Sequence, residues 1–228
     1  MKTIAYVDGF NLYYRLLREN RELRWLNLES FVKRFLDEKS ELIAINYYTA
    51  RVKGRIDRDA PRKQQLYFNA LESLPMVTIH EGNFTVHKTW AKLVLPPEFE
   101  PELDPGNELS EPYPEKVRFY KVEEKGSDVN LGSHLVRDAF QNKYDQAVIV
   151  TNDTDLCEPV RIVREEVGKP VGLLAPVDNP ARSLKDVASW VKHVKKLDAG
   201  ACQFPDRVRI PHRRPAVKPC DWVAEDDE

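Results

Sequence analysis

Cysteine is scarce: Cys157, Cys202 and Cys220 are the only three in 228 residues. The count is odd and no C-x-x-C spacing occurs, which argues against a disulfide framework and a thiolate zinc cage. Each is read as a small hydrophobe or an idle thiol. Long apolar runs are also missing. No stretch approaches the roughly 18 residues of a membrane span, and no basic segment leads into an apolar core at the N-terminus. Neither a membrane anchor nor a signal peptide is expected, and the expected setting is cytoplasmic. Charge of one sign is lacking, since the formal net charge is −2. A strongly basic surface is thereby excluded, while local basic patches are not. Glycine-rich loops are absent as well. There is no G-x-G-x-x-G and no G-x-x-x-x-G-K-[ST], which disfavours dinucleotide and P-loop nucleotide binding. No G-x-S-x-G elbow supports triad chemistry. The histidines (His80, His87, His134, His193, His212) show no ligand spacing. His134, one turn from Asn130 and Asp138, is read as a helix-surface or supporting residue rather than a base.

What is present is an apolar fraction of 42%, enough for a real core, and a charged fraction of 32%, which implies a heavily solvated surface. The length suits one domain with embellishments. Thr3–Val7 reads as a buried strand, followed by a helix from near Asn11 through "NLYYRLLREN". "NLESFVKRFL" reads as a helix that Asn27 can cap, and "ELIAINYYTARV" as a strand. "PRKQQLYFNALESL" opens on Pro61 as a helix, and "MVTIHEGNFTV" is a third strand. Residues 88–115 hold Pro96, Pro97, Pro101, Pro105, Pro112 and Pro114 among many glutamates. They read as an insertion: two edge segments, "KTWAKLVL" and "KVRFYKVEE", joined by an acidic proline-rich loop. The regular pattern resumes with a helix over "SDVNLGSHLVRDAFQNKY", a strand in "DQAVIVTNDTDL" and a helix over "LCEPVRIVREEVG". "KPVGLLAP" is read as the last strand and "ARSLKDVASWVKHV" as the last helix. Such alternation implies an α/β domain with a mainly parallel sheet. Residues 196–228, rich in proline and arginine and acidic at the end, have tail composition.

In an open parallel sheet, ligands bind outside the carboxyl ends of the strands. Asp8 ends the first strand, Asp153 and Asp155 follow "AVIV", and Asp128 stands at the mouth of the helix after the insertion. Four carboxylates from three places would converge on one edge. Clustered carboxylates repel unless a cation neutralises them, and hard oxygen ligands suit Mg²⁺ or Mn²⁺. Taken singly, an aspartate after a strand is usually a cap or turn former. Asp155 is placed to cap the helix after it, and Asn11 the first helix. The expectation rests on the joint pattern, two strands ending in aspartate-rich turns. Arg51, Lys53, Arg55, Arg58, Arg62 and Lys63 follow the second strand on the same edge, diluted by Asp57 and Asp59. Arg51, Lys53 and Arg55, with Lys125 before the Asp128 helix, are candidates for positioning a phosphate-bearing substrate.

"YVDGFNLYY", "KGSDVNLGSHLVRDA" and "YDQAVIVTNDTDLCEPVRIVREEVGKPV" resemble the NYN domain, a branch of the PIN-like nuclease superfamily. The resemblance covers about residues 1–195 apart from the insertion at about 88–116, and leaves 196–228 as a C-terminal tail. It implies a PIN-like three-layer α/β/α sandwich with a central, mainly parallel sheet. The family's acidic pocket would map onto Asp8, Asp128, Asp153 and Asp155, with Asn11 beside the first. The implied activity is Mg²⁺- or Mn²⁺-dependent endoribonuclease cleavage, with Asp8, Asp128 and Asp153 holding metal. Asn11 would orient Asp8 or a water, Asp155 would be an outer ligand or water positioner, and Thr151, with Asn152, would support the Asp153 carboxylate. Where the family commonly reads S-G-D-G-D-F, this chain has Thr151-Asn152-Asp153-Thr154-Asp155-Leu156. Both acids remain, and losing two glycines narrows the turn's freedom and bears on substrate access. Relatives of this chain type are also linked to redox conversion of pyridine compounds. The alternatives are therefore an NADH-dependent pyridine monooxygenase, a phosphatase using Asp153-x-Asp155, and a non-catalytic RNA-binding module. The expected partner is RNA, without a membrane, and a homodimer is left open.

Overall fold

The computed structural model describes residues 1–53, 58–94, 106, 108 and 112–223. Strand β1 (Lys2–Asp8) is buried from Thr3 onward and runs straight into the short helix α1 (Gly9–Leu12), which continues as a π-helical turn over Tyr13–Leu17. Helix α2 (Leu28–Phe35) is capped by Asn27, whose side chain accepts the Ser30 N–H at 3.0 Å. Then come β2 (Glu41–Ala50), α3 (Ala60–Leu71), β3 (Val77–Lys92), β4 (Lys116–Lys125) and α4 (Ser127–Phe140). The last part holds β5 (Gln146–Val150), α5 (Cys157–Arg161), β6 (Val171–Ala175), α6 (Arg182–Val187), β7 (Trp190–His193), α7 (Lys196–Gly200), β8 (Arg207–Val208) and β9 (Ala216–Val217).

Seven strands form one sheet in the order β4-β3-β2-β1-β5-β6-β7, with every neighbour parallel except β4 on β3. Alternation along the strands divides the core in two. Ala5, Val7, Val148 and Val150 face one cluster with Phe31, Phe68 and Leu71 of α2 and α3. Ile4, Tyr6, Ala147 and Ile149 face the other with Leu131, Leu135 and Val160 of α4 and α5. The result is the expected three-layer α/β/α sandwich. From β1 the chain winds outward to β4, then returns to β5 on the other side. The β1–β5 boundary is thus the switch point, where the connections diverge and leave a crevice. Among the described residues no helix is long and apolar enough to cross a membrane.

The structure departs from the sequence reading in four places. The third strand and the first edge segment are one strand, β3, whose outer half, Asn83–Lys92, pairs antiparallel with β4. Most of the acidic loop lies outside the described residues. The helix over "ARSLKDVASWVKHV" ends at Val187, and Trp190–His193 forms β7 instead, parallel to β6. Helical spacing hid a packing requirement: the Trp190 ring lies over Gly172 of β6, where a Cβ would come within 2.0 Å of the ring. The first helix begins at Gly9 rather than near Asn11, because Asp8 caps it. Finally, residues 196–223 do not behave as a solvated tail. Cys202, Phe204, Val208, Ala216 and Trp222 join the larger core cluster. Trp25, fully buried, packs on Phe204 and Trp222 with ring centroids 5.9 and 6.0 Å away and donates to the Pro205 carbonyl at 2.9 Å. Proline-rich composition concealed these anchors.

Candidate metal centre

The centre is built from the ends of β1 and β5 and the first turn of α4. Asp8 leaves β1 with extended backbone and caps α1; its Oδ1 accepts the Asn11 N–H at 2.9 Å. Its Oδ2 accepts the Thr151 hydroxyl, also at 2.9 Å. Thr151 is fully buried just past β5, and its Oγ1 accepts the Asp153 N–H at 3.0 Å. Thr151 therefore steadies the Asp8 carboxylate and the Asp153 backbone, rather than the Asp153 carboxylate that the resemblance suggested. The Asn11 side-chain oxygen accepts the Asn152 N–H at 2.9 Å, and the Asn152 oxygen accepts the Ala181 N–H at 2.8 Å. This chain of bonds ties β1, the turn after β5 and the segment before α6 together.

Asp128 arrives from the other side. Strand β4 ends at Lys125, Gly126 takes φ +100°, and α4 begins at Ser127. A left-handed residue is what lets a strand turn sharply into a helix here. One carboxylate oxygen from each of Asp8, Asp128 and Asp153 lies within 4.8 Å of the others. Asp8 is 3% exposed. Burial, with Asp128 and Asp153 adding to it, pushes its carboxyl up to about 6 from 3.8, although the Asn11 and Thr151 hydrogen bonds pull the other way. Three carboxylates this close repel one another, and a hard divalent cation between them would offset that repulsion. The donor set fits such an ion.

Asp155 stands apart from these three. It is exposed, and it borders a cavity of about 370 Å³ between α4 and α5, shared with Asp128, Val129, Ser133, Leu156 and Pro159. The capping expected of Asp155 falls to Asp153, whose Oδ1 accepts the Asp155 N–H at 3.1 Å; α5 itself has no side-chain cap. Asn11 is likewise not the cap of α1.

The candidate cations are dispersed. Arg51 lies just beyond β2, held by Glu81 at 2.6 and 2.8 Å, with its guanidinium 5.2 Å from the Phe68 ring centroid. Lys53 is exposed, and Arg55 lies outside the described residues. Lys125 ends β4, 3.9 Å from Glu123. His134 is less peripheral than the sequence suggested: its Nδ1 is 2.9 Å from the Tyr48 hydroxyl, and its ring packs edge-on to His80 at 4.9 Å. Burial lowers the pKa of both histidines. Gly9 was missed altogether. A Cβ there would lie 2.7 Å from the Tyr48 carbonyl oxygen and from the Tyr47 ring, so only glycine lets α1 start against β2. The dipeptide Asp8-Gly9 after an apolar strand was the available signal.

The family model described as the NYN domain matches residues 101–194. The chain is also 32% identical over 250 residues to the 6-hydroxy-3-succinoylpyridine 3-monooxygenase HspA of Pseudomonas putida (strain DSM 28022 / S16), across 99% of this chain and 76% of that protein. This chain belongs to the NYN domain family. A solved structure of a protein of unknown function from Vibrio parahaemolyticus RIMD 2210633 shares the fold, with a TM-score of 0.50 and 15% identity over 85% of this chain and 93% of that one. As an NYN domain the chain has a PIN-like, nuclease-type fold, and the Asp8–Asp128–Asp153 group lies beside the switch point where such a sheet places its site.

Proposed function

We propose that this NYN domain is a divalent-metal-dependent endoribonuclease that hydrolyses RNA phosphodiester bonds at Asp8, Asp128 and Asp153. The observation that carries the reading is the convergence of these carboxylates within 4.8 Å around a buried Asp8. A bound Mg²⁺ or Mn²⁺ would neutralise them and polarise a scissile phosphate. The protein's own part is placement. Thr151 and the Asn11 N–H lock both oxygens of Asp8, so the carboxylate is aimed before any ion arrives. Asn11 and Asn152 hold the Asp153 turn against β1. Asp155, exposed at the cavity beside Asp128, would serve as an outer ligand or position the attacking water. Lys53, Arg55 and Lys125 would meet flanking phosphates, with Arg51 contributing less because Glu81 holds it.

The test is an incubation of purified protein with end-labelled RNA in Mn²⁺, in Mg²⁺ and in EDTA, beside Asp153→Asn. Metal-dependent cleavage lost in the variant is expected; equal cleavage by both proteins overturns the assignment. A second reading follows from the relative named as a pyridine monooxygenase, whose similarity runs along 99% of this chain. In it, the cavity beside Asp128 would take a pyridine ring. NADH oxidation stimulated by a hydroxylated pyridine, with RNA left intact, would select that reading.

A further inference from the structure

Beyond Gly82 strand β3 outruns the sheet. β2 stops at Ala50, opposite Gly82, and Asn83–Lys92 continues as a two-stranded ribbon with β4. The ribbon leaves from the carboxyl edge that carries Asp8, and β4 leads through Gly126 into the turn bearing Asp128. The register pairs Lys88 with Tyr120, Trp90 with Arg118 and Lys92 with Lys116, so these six side chains share one face. Trp90 is 64% exposed and Tyr120 41%. The Lys88 Nζ sits 4.7 Å from the Tyr120 ring centroid. The same row continues inward to Phe84, whose ring meets Phe10 edge-on at 5.4 Å; Phe10 stacks on Tyr14 at 6.3 Å. Phe10 follows Asp8 by two residues and opens α1 with Gly9.

Aromatic rings and cations therefore share one face of the outer ribbon, and the row leads by way of Phe84 to Phe10, two residues after Asp8. Exposed flat rings offer stacking surfaces to unpaired bases, and interleaved lysine and arginine offer contacts to phosphates. A duplex would present the phosphates but not the ring faces. We propose that the β3–β4 ribbon is a binding arm for a single-stranded polynucleotide. Trp90 and Tyr120 stack on bases, Lys88, Lys92, Lys116 and Arg118 meet phosphates, and the strand is led past Phe10 toward Asp8. The direction of that path rests on the nuclease reading, whereas the binding does not.

The test is fluorescence titration of a labelled uridine oligonucleotide of about 12 nucleotides in EDTA, so that cleavage is suppressed. Trp90→Ala and Tyr120→Ala should each weaken binding by about five- to a hundredfold, while Trp90→Phe keeps most of the affinity. Lys88→Ala with Arg118→Ala should reduce the slope of log K against log salt by about 1.4. A duplex of equal length should bind more weakly than the single strand. Unchanged affinity and slope in these variants overturn the proposal. So does finding that Trp90→Ala instead dissociates a dimer or releases anionic lipid vesicles while oligonucleotide binding is unaltered. If wild type cleaves RNA in Mn²⁺ but the ribbon variants bind normally, the arm is wrong and the nuclease reading stands. If the ribbon binds the oligonucleotide and no cleavage occurs, the arm stands without the nuclease.

Discussion

Replacing Asp8 by Asn should reverse sign as pH changes. The Asp8 carboxyl titrates near 3.8 in an unfolded chain and near 6 in the fold, chiefly because it is buried. The folded state therefore holds its proton more tightly. The associated stability is fully present below about pH 3.8 and is lost as pH rises through about 6. A shift of about two units corresponds to about 3 kcal/mol. For a chain of this length, that is about 6–12 °C in Tm. Asn carries no charge and escapes this loss. It does lose the acceptor for the Thr151 hydroxyl, a pH-independent cost of about 1–3 kcal/mol. Urea unfolding in EDTA at pH 4 and pH 7.5 separates the two. At pH 4 Asp8→Asn should be the less stable protein. By pH 7.5 the difference should have moved in the variant's favour by about 2.5 kcal/mol, since part of the full effect is already lost at pH 4. Adding Mn²⁺ at pH 7.5 should restore the advantage to wild type, since the ion binds the folded carboxylates. A stability difference independent of pH would show that Asp8 titrates normally and refute the crowded-pocket argument.

Thr151→Val should cost about 1–3 kcal/mol, because one hydroxyl serves both Asp8 and the Asp153 backbone; it should also weaken Mn²⁺ binding by about 10- to 100-fold, both measurable by calorimetry. Trp222→Ala should cost about 3–5 kcal/mol, since the ring packs on Trp25 and Tyr67, and a solvated-tail variant would instead unfold at the wild-type urea midpoint. Gly9→Ala should destabilise by about 1–3 kcal/mol, because the new methyl meets the Tyr48 carbonyl; a neutral result in thermal unfolding would show that α1 can shift.

The fold was legible where a segment's pattern admitted one structure. "IAYVD" and "AVIV" are apolar without alternation, as strands covered on both faces must be. Trp190–His193 was not legible, because its spacing also fits a helix and the deciding contact, Trp190 on Gly172, lies outside the segment. Phe204 and Trp222 were masked by neighbouring prolines, which mark irregular backbone and not exposure. In the candidate site, sequence pattern put four acids on one edge, and only the family resemblance set Asp155 apart from the other three. Three meet because Gly126 turns β4 into α4 and Thr151 clamps Asp8; Asp155 is left at the cavity. The ribbon's aromatic face was invisible until the β3–β4 register was known.

As proposed, Asp8, Asp128 and Asp153 would jointly hold one divalent cation. Titrating Mn²⁺ into EDTA-stripped protein and following the free-ion electron paramagnetic resonance signal tests it most directly. Wild type should remove the signal saturably, and Asp128→Asn, whose carboxylate comes from a separate element, should bind at least tenfold more weakly while unfolding cooperatively. Equal Mn²⁺ affinity in the two proteins would contradict the account.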